Sequence, residues 1–216
     1  MTRILCTFGV LLLAPALAAQ DPRLEQRLDP ETRIAVESVI DSARRAGLPT
    51  APLVAKALEG ASKRADGSRI VGAVSRLAAH LGTARDALGT AASGGELEAG
   101  ASALVAGASP DDLARLKAMR PRASLVVPLG VLADLVARGV PADSARQAVM
   151  VLAGERLRDE DFITFRRNVE RDIALGAPPG AATSVRVNAG LTDQLRSAAP
   201  SDFEGPSGGP VPKRKP

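Results

Sequence analysis

Tryptophan and tyrosine are absent from this chain of 216 residues, and phenylalanine occurs four times, at Phe8, Phe162, Phe165 and Phe203. Aromatic rings are what stack on sugars and cage cations, so both binding modes are disfavoured. The core must be built from Ala, Leu, Val and Ile instead. Cysteine occurs once, as Cys6, inside an N-terminal apolar run. No disulfide framework and no thiolate metal site can form in the rest of the chain. His80 is the single histidine, so Ser-His or Cys-His catalysis would rest on it alone. Its flanking sequence offers only Arg76 and Arg85 as charged neighbours, and a boundary histidine is the plainer reading. The motifs GxSxG, SxxK, HExxH and GxxxxGK[ST] are missing, as is a GxGxxG after a strand. No catalytic residue, cofactor or metal ligand is therefore assigned.

The N-terminus, "MTRILCTFGVLLLAPALAAQDP", reads as a secretory signal peptide. Arg3 supplies the positive start, residues 4–13 the apolar run, and Ala16-Leu17-Ala18 the small-x-small cleavage rule. The run is well short of the roughly 20 apolar residues a spanning helix needs. Cleavage is expected after Ala18, leaving a secreted or periplasmic protein without a transmembrane segment. The formal charge of +4 is mild. Export argues against nucleic acid as a partner and makes an envelope protein the expected one; the charge alone establishes neither this nor a lipid surface.

Four regions follow: a signal peptide over 1–18, a flexible leader over 19–29, an all-helical domain over 30–197 and a disordered tail over 198–216. The tail is rich in Pro, Gly and Ser, ends in Lys213-Arg214-Lys215, and holds too little apolar surface to offset ordering entropy. Between the ends the apolar residues recur with helical period, and no stretch alternates long enough to predict a strand. Helices are expected over 31–46, 51–64 (with Thr50 as cap), 69–88 (with Ser68 as cap), 95–106, from Ser109-Pro110 onward, 123–138, 142–153 and 159–175. In 69–88, Ile70, Val74, Leu77, Leu81, Ala84 and Leu88 form a seam against another helix. Residues 123–138 are apolar nearly all round, which predicts a central buried helix. Pro128 must either kink it or lie in its first turn.

One inert phrase recurs. Gly47-Leu48-Pro49 and Gly139-Val140-Pro141 are close copies, and Gly107-Ala108-Ser109-Pro110 and Gly176-Ala177-Pro178 are looser ones. Gly supplies the left-handed residue that closes a helix, the next residue packs back on the last turn, and Pro forbids continuation. Gly47, Pro49, Gly107, Gly139, Pro141, Gly176 and Pro178 are thus read as helix-reversal residues. The spacing suggests degenerate helical hairpins. The fold class is all-α, either an irregular bundle or a short solenoid of such hairpins.

Four charged groups remain. Arg115, Lys117, Arg120 and Arg122 surround a helix-to-helix turn and are the candidate contacts for an anion or partner. Arg166, Arg167 and Arg171 share the outer side of the 159–175 helix. Asp159-Glu160-Asp161 fits a helix N-terminus and lacks calcium-loop spacing. Asp134 stands in an apolar helix with Arg138 four residues on, placed for a helix ion pair. The resulting expectation is a non-catalytic binding or scaffolding module of the cell envelope. The alternative is a small-ligand or lipid carrier with an apolar cavity between helices. A carboxylate-pair hydrolase would require Asp134 buried beside Glu155 or another acid.

Overall fold

The computed structural model describes residues 21–155 and 157–198, with side chains as far as residue 190. The expected signal peptide, leader residues 19 and 20, and the expected tail from 199 onward lie outside the described residues. Ten helices and no strand occur among the described residues: α1 (Pro22–Arg27), α2 (Pro30–Arg45), α3 (Ala51–Ser62), α4 (Gly67–Leu88), α5 (Gly94–Val105), α6 (Pro110–Met119), α7 (Val126–Ala137), α8 (Ala142–Gly154), α9 (Asp159–Ala174) and α10 (Pro179–Ala198). The protein is all-helical.

Local chemistry explains most of the starts. Proline opens α1, α2 and α6 within the first two positions, where its missing N–H removes no helix bond. Ser93 and Glu96 form a capping box on α5, and Ser109 and Asp112 form one on α6. Pro128 lies in the first turn of α7, which therefore runs unkinked by it. Along α4, Ile70, Val74, Leu81, Ala84 and Leu88 are buried, while Leu77 is only partly so. The apolar α7 buries Leu129, Val131, Leu132 and Leu135, and a single core runs from Leu24 to Ala182.

Three expectations need correction. Most of the expected loose leader is α1, because Leu24 is fully buried and the Asp21 side chain accepts from the Arg23 N–H. A single buried leucine leaves no periodicity to read. Within the region expected to be helical as far as 197, no helix was delimited beyond 175, and α10 fills it; Pro179 stands at its start, where proline is tolerated, and Arg186 clamps Asp172 of α9 with two bonds of 2.6 and 2.8 Å. Ser68 does not cap α4, whose N-cap is Asp66 without a side-chain bond. There Gly67 is pressed onto α2: a Cβ would stand 2.0 Å from Thr32 Oγ1. Thr50 is the N-cap of α3 as expected, without a side-chain cap bond.

The Gly-x-Pro phrases join α2 to α3, α5 to α6, α7 to α8 and α9 to α10. Gly47, Gly107, Gly139 and Gly176 have φ of 72°, 100°, 87° and 98°. Each donates its N–H to the carbonyl three residues back, and the following residue (Leu48, Ala108, Val140, Ala177) donates to the carbonyl five back. That bond pair satisfies two carbonyls a helix end leaves unpaired. The α3–α4 turn makes the same pair, Arg64 to Ala61 and Ala65 to Gly60, with an arginine at φ 53°.

Helix neighbours follow a regular order over the last three hairpins. Their first helices adjoin in sequence, α5 on α7 and α7 on α9; their second helices do likewise, α6 on α8 and α8 on α10. Helix α4 packs against α2, α3, α5 and α6. Gly100 makes the α4–α5 crossing close, since a Cβ there would lie 3.0 Å from Ala84 Cβ.

Candidate functional site

The four basic residues near the α6–α7 turn do not act together. Arg115 and Arg122 are exposed, and Lys117 is half-buried with its Nζ 4.0 Å from Glu96. Arg120 turns inward instead. Only 8% of it is exposed; its guanidinium donates to the Leu157 carbonyl and to Asp159, both at 2.7 Å, and lies 5.1 Å from the centre of the Phe162 ring. It ties the end of α6 to the start of α9 and is withdrawn from any outward-facing group. The open cleft beside it, about 810 Å³, is lined by Arg122, Arg158 and apolar residues that include Met119 and Leu157.

The other singled-out charges are similarly engaged. Arg166 pairs with Asp134, and Arg138 reaches Glu170 at 3.4 Å, so the two ion pairs run between α7 and α9. The expected Asp134–Arg138 pair along α7 is replaced by these cross-helix partners. Asp134 is about half exposed and pairs with Arg166, whose Nε also lies 3.9 Å from Glu170, so that one guanidinium stands between the two carboxylates. Arg167 and Arg171 remain exposed, whereas Arg166 is half-buried. Asp161 accepts from the Arg158 N–H at the start of α9, and Asp159 is held by Arg120. No group of three or more potential metal ligands occurs among the described residues.

Glu96 has the most demanding acidic position. It is 8% exposed, receives the Ser93 N–H and hydroxyl, and with its other oxygen accepts the Leu125 N–H at the start of α7. Burial opposes its ionisation, but the bonds from Ser93 and Leu125 and the nearby Lys117 outweigh that, leaving its pKa below the ordinary value. This is a structural site. It joins two helix starts.

Among the described residues, a concentration of unpaired charge lies elsewhere, between α3 and α4. An open groove of about 780 Å³ is lined by Lys56, Lys63, Arg64, Arg69 and Arg76, opposed by Glu59 and Asp66. Glu59 binds Lys63 and Lys56, whose hydrogen bonds and charge hold its pKa at about 2. Arg64, Arg69 and Arg76 have no ion pair with a described residue. The sequence reading passed over this group. Its signal is present: Lys56 and Lys63 are seven residues apart, as are Arg69 and Arg76, so each pair shares a helix face. The pairs fall on different helices, and only the α3–α4 packing brings them together. His80 lies farther along α4, beside Lys56, Leu77, Leu104 and Val105.

The clefts at the α3–α4 and α6–α7 turns are open to solvent, and no helix among the described residues is long and apolar enough to cross a membrane. The α3–α4 arrangement has the means to attract and orient an anion. No family model, no curated protein and no solved structure matches the chain.

Proposed function

We propose that this protein is a non-catalytic binding module of the cell envelope, a short solenoid of helical hairpins that engages an anionic partner through the α3–α4 groove. The observation that carries this reading is the convergence of five cations on one groove against two carboxylates, with three arginines left unpaired. Unpaired like charges raise the local potential and attract an oppositely charged partner. The in-order adjacency of α5, α7 and α9, and of α6, α8 and α10, supports the solenoid. The N-terminal segment supports export.

The test is fluorescence anisotropy with a labelled oligo-glutamate peptide at low and at high salt. Wild-type protein should bind, and binding should weaken as salt is raised past about 0.1 M, where the Debye length is about 10 Å. Arg69→Glu/Arg76→Glu should lose the peptide, and Arg115→Glu/Arg122→Glu should keep it. Absence of wild-type binding, or equal loss in both variants, would overturn the groove assignment. Export is tested separately by N-terminal sequencing of the protein from its native cell, with Ala19 as the expected first residue. An intact Met1 end in the cytosolic fraction refutes it.

A further inference from the structure

We infer that the occupant of this groove is an acidic amphipathic helix of a partner protein, an inference that rests on the anion-binding reading above. The basic groove does not stop at Arg76. A second cleft, of about 580 Å³, shares Lys56, Ala73 and Arg76 with it and continues to Leu77, Leu104 and Val105. Together they form one trough with α4 as its floor, α3 as one wall and the end of α5 as the other.

The floor has the shape of a helix seat. Arg69, Gly72, Ala73, Arg76, Leu77 and His80 line the trough, and their spacing of three, one, three, one and three places them in one stripe of α4. Eleven residues of rise make that stripe about 16 Å long, or about three helical turns. Gly72 and Ala73 keep its middle low, and a Cβ on Gly72 would meet only the Arg76 guanidinium, at 3.4 Å. A second helix can therefore approach along the stripe, as in helix-in-groove recognition.

The chemistry changes along the trough. Its α4 N-terminal end is cationic; its other end is apolar, with Val105 68% exposed. A small anion would use the first end alone. An acidic chain without apolar side chains would leave Val105 in water. A helix with carboxylates in its first turn, where its own dipole favours them, and with leucines one to two turns later, covers both. The chain's own tail is a poor complement, because it ends in Lys213-Arg214-Lys215. An acyl chain is a poorer fit than a helix, because Ser102 and His80 interrupt the apolar end and the trough is open along its length.

The test uses the full mature protein and two labelled peptides of one composition. One peptide places acids first and leucines at i, i+3, i+4 and i+7; the other scrambles them. Vesicles of equal phosphatidylglycerol and phosphatidylcholine serve as a third probe. Wild-type protein should prefer the patterned peptide by about tenfold, the return expected from burying a few apolar groups. Val105→Ser, at an exposed position, should cut that preference about threefold and leave the scrambled peptide's affinity unchanged. Arg69→Glu/Arg76→Glu should lose both peptides. Equal affinity for the two peptides overturns the helix inference and leaves the anion-binding reading standing; no binding of either overturns both. Tighter binding to vesicles than to the patterned peptide overturns the helix in favour of a membrane surface.

Discussion

Replacing Glu96 with alanine should destabilise the fold by about 2–4 kcal/mol, more than an ordinary helix cap is worth. Glu96 supplies half of the α5 capping box through Ser93, and losing a cap costs about 1 kcal/mol. Its second oxygen accepts from Leu125, which is fully buried; leaving that N–H unpaired costs about 1–3 kcal/mol more. Asp29→Ala is the matched control, since Asp29 caps only its own helix through Thr32 and should cost about 1 kcal/mol. Glu96→Gln keeps an acceptor and surrenders the charge, so it should fall between the two. Urea unfolding followed by far-ultraviolet circular dichroism reads all three as shifts in midpoint at constant slope. The pH dependence supplies a second readout. The folded-state pKa of Glu96 is lowered, so its stabilisation is fully present above the unfolded value, near 4.3. It is lost as pH falls through the lower folded value. The gap between wild type and Glu96→Gln should therefore narrow below about pH 4. An Glu96→Ala cost no larger than that of Asp29→Ala, or a gap that persists unchanged in acid, would refute the bridging role.

Glycine substitutions should divide by backbone and by space. Gly139→Ala forces an L side chain to φ 87° and should destabilise by about 1–2 kcal/mol. Gly82→Ala, inside α4 with nothing within 4 Å of the new Cβ, should stabilise by about 0.5–1 kcal/mol. Gly100→Ala gains the same helical preference but presses on Ala84 at 3.0 Å and Leu113 at 3.3 Å; overpacking of about 1–3 kcal/mol should win. Urea midpoints for the three variants check these signs, and a stabilising Gly100→Ala would mean that the α4–α5 crossing yields easily.

The helices from α2 to α9 were legible because each combines a periodic apolar face with a chemical stop. Val36 and Ile40 repeat at four, Ile70 and Val74 likewise, and Gly47 or Gly139 ends the pattern. Helix α1 was not legible, because six residues with one buried leucine carry no period. The charged side chains were harder to read than the helices for a different reason. Partner choice among Asp134, Arg138, Arg166 and Glu170 is decided across the α7–α9 interface, which sequence spacing along one helix does not encode. Arg120 illustrates the same point from the other side. Its neighbours in sequence made it one of a surface group, whereas Asp159, thirty-nine residues away, draws it inward. The α3–α4 groove is the converse case: pairs of cations seven apart on two separate helices become one site when the helices pack antiparallel across a tight turn.

That turn allows stability and binding to be separated in one residue. Four other turns place glycine at the left-handed position, while Arg64 adopts φ 53° with the same two hydrogen bonds. An L residue there costs about 1–2 kcal/mol, and glycine would return about 0.5–1 kcal/mol of that as lost chain entropy. Arg64→Gly should therefore leave stability level or raise it by up to about 1 kcal/mol. Its side chain, however, lines the cationic groove. Losing one exposed charge next to a bound carboxylate removes about 1 kcal/mol of attraction at low salt, or about fivefold in affinity. The expected variant is thus as stable as wild type or more so, and binds the acidic peptide more weakly, with the difference fading at high salt. A variant equally stable and equally tight would show that arginine is merely tolerated at this turn. A clearly destabilised one would show that its backbone carries no strain for glycine to relieve. The pairing of a gain in stability with a loss in binding is the outcome that ties this departure from the repeated glycine to function, because strained residues persist where the surrounding site makes use of them.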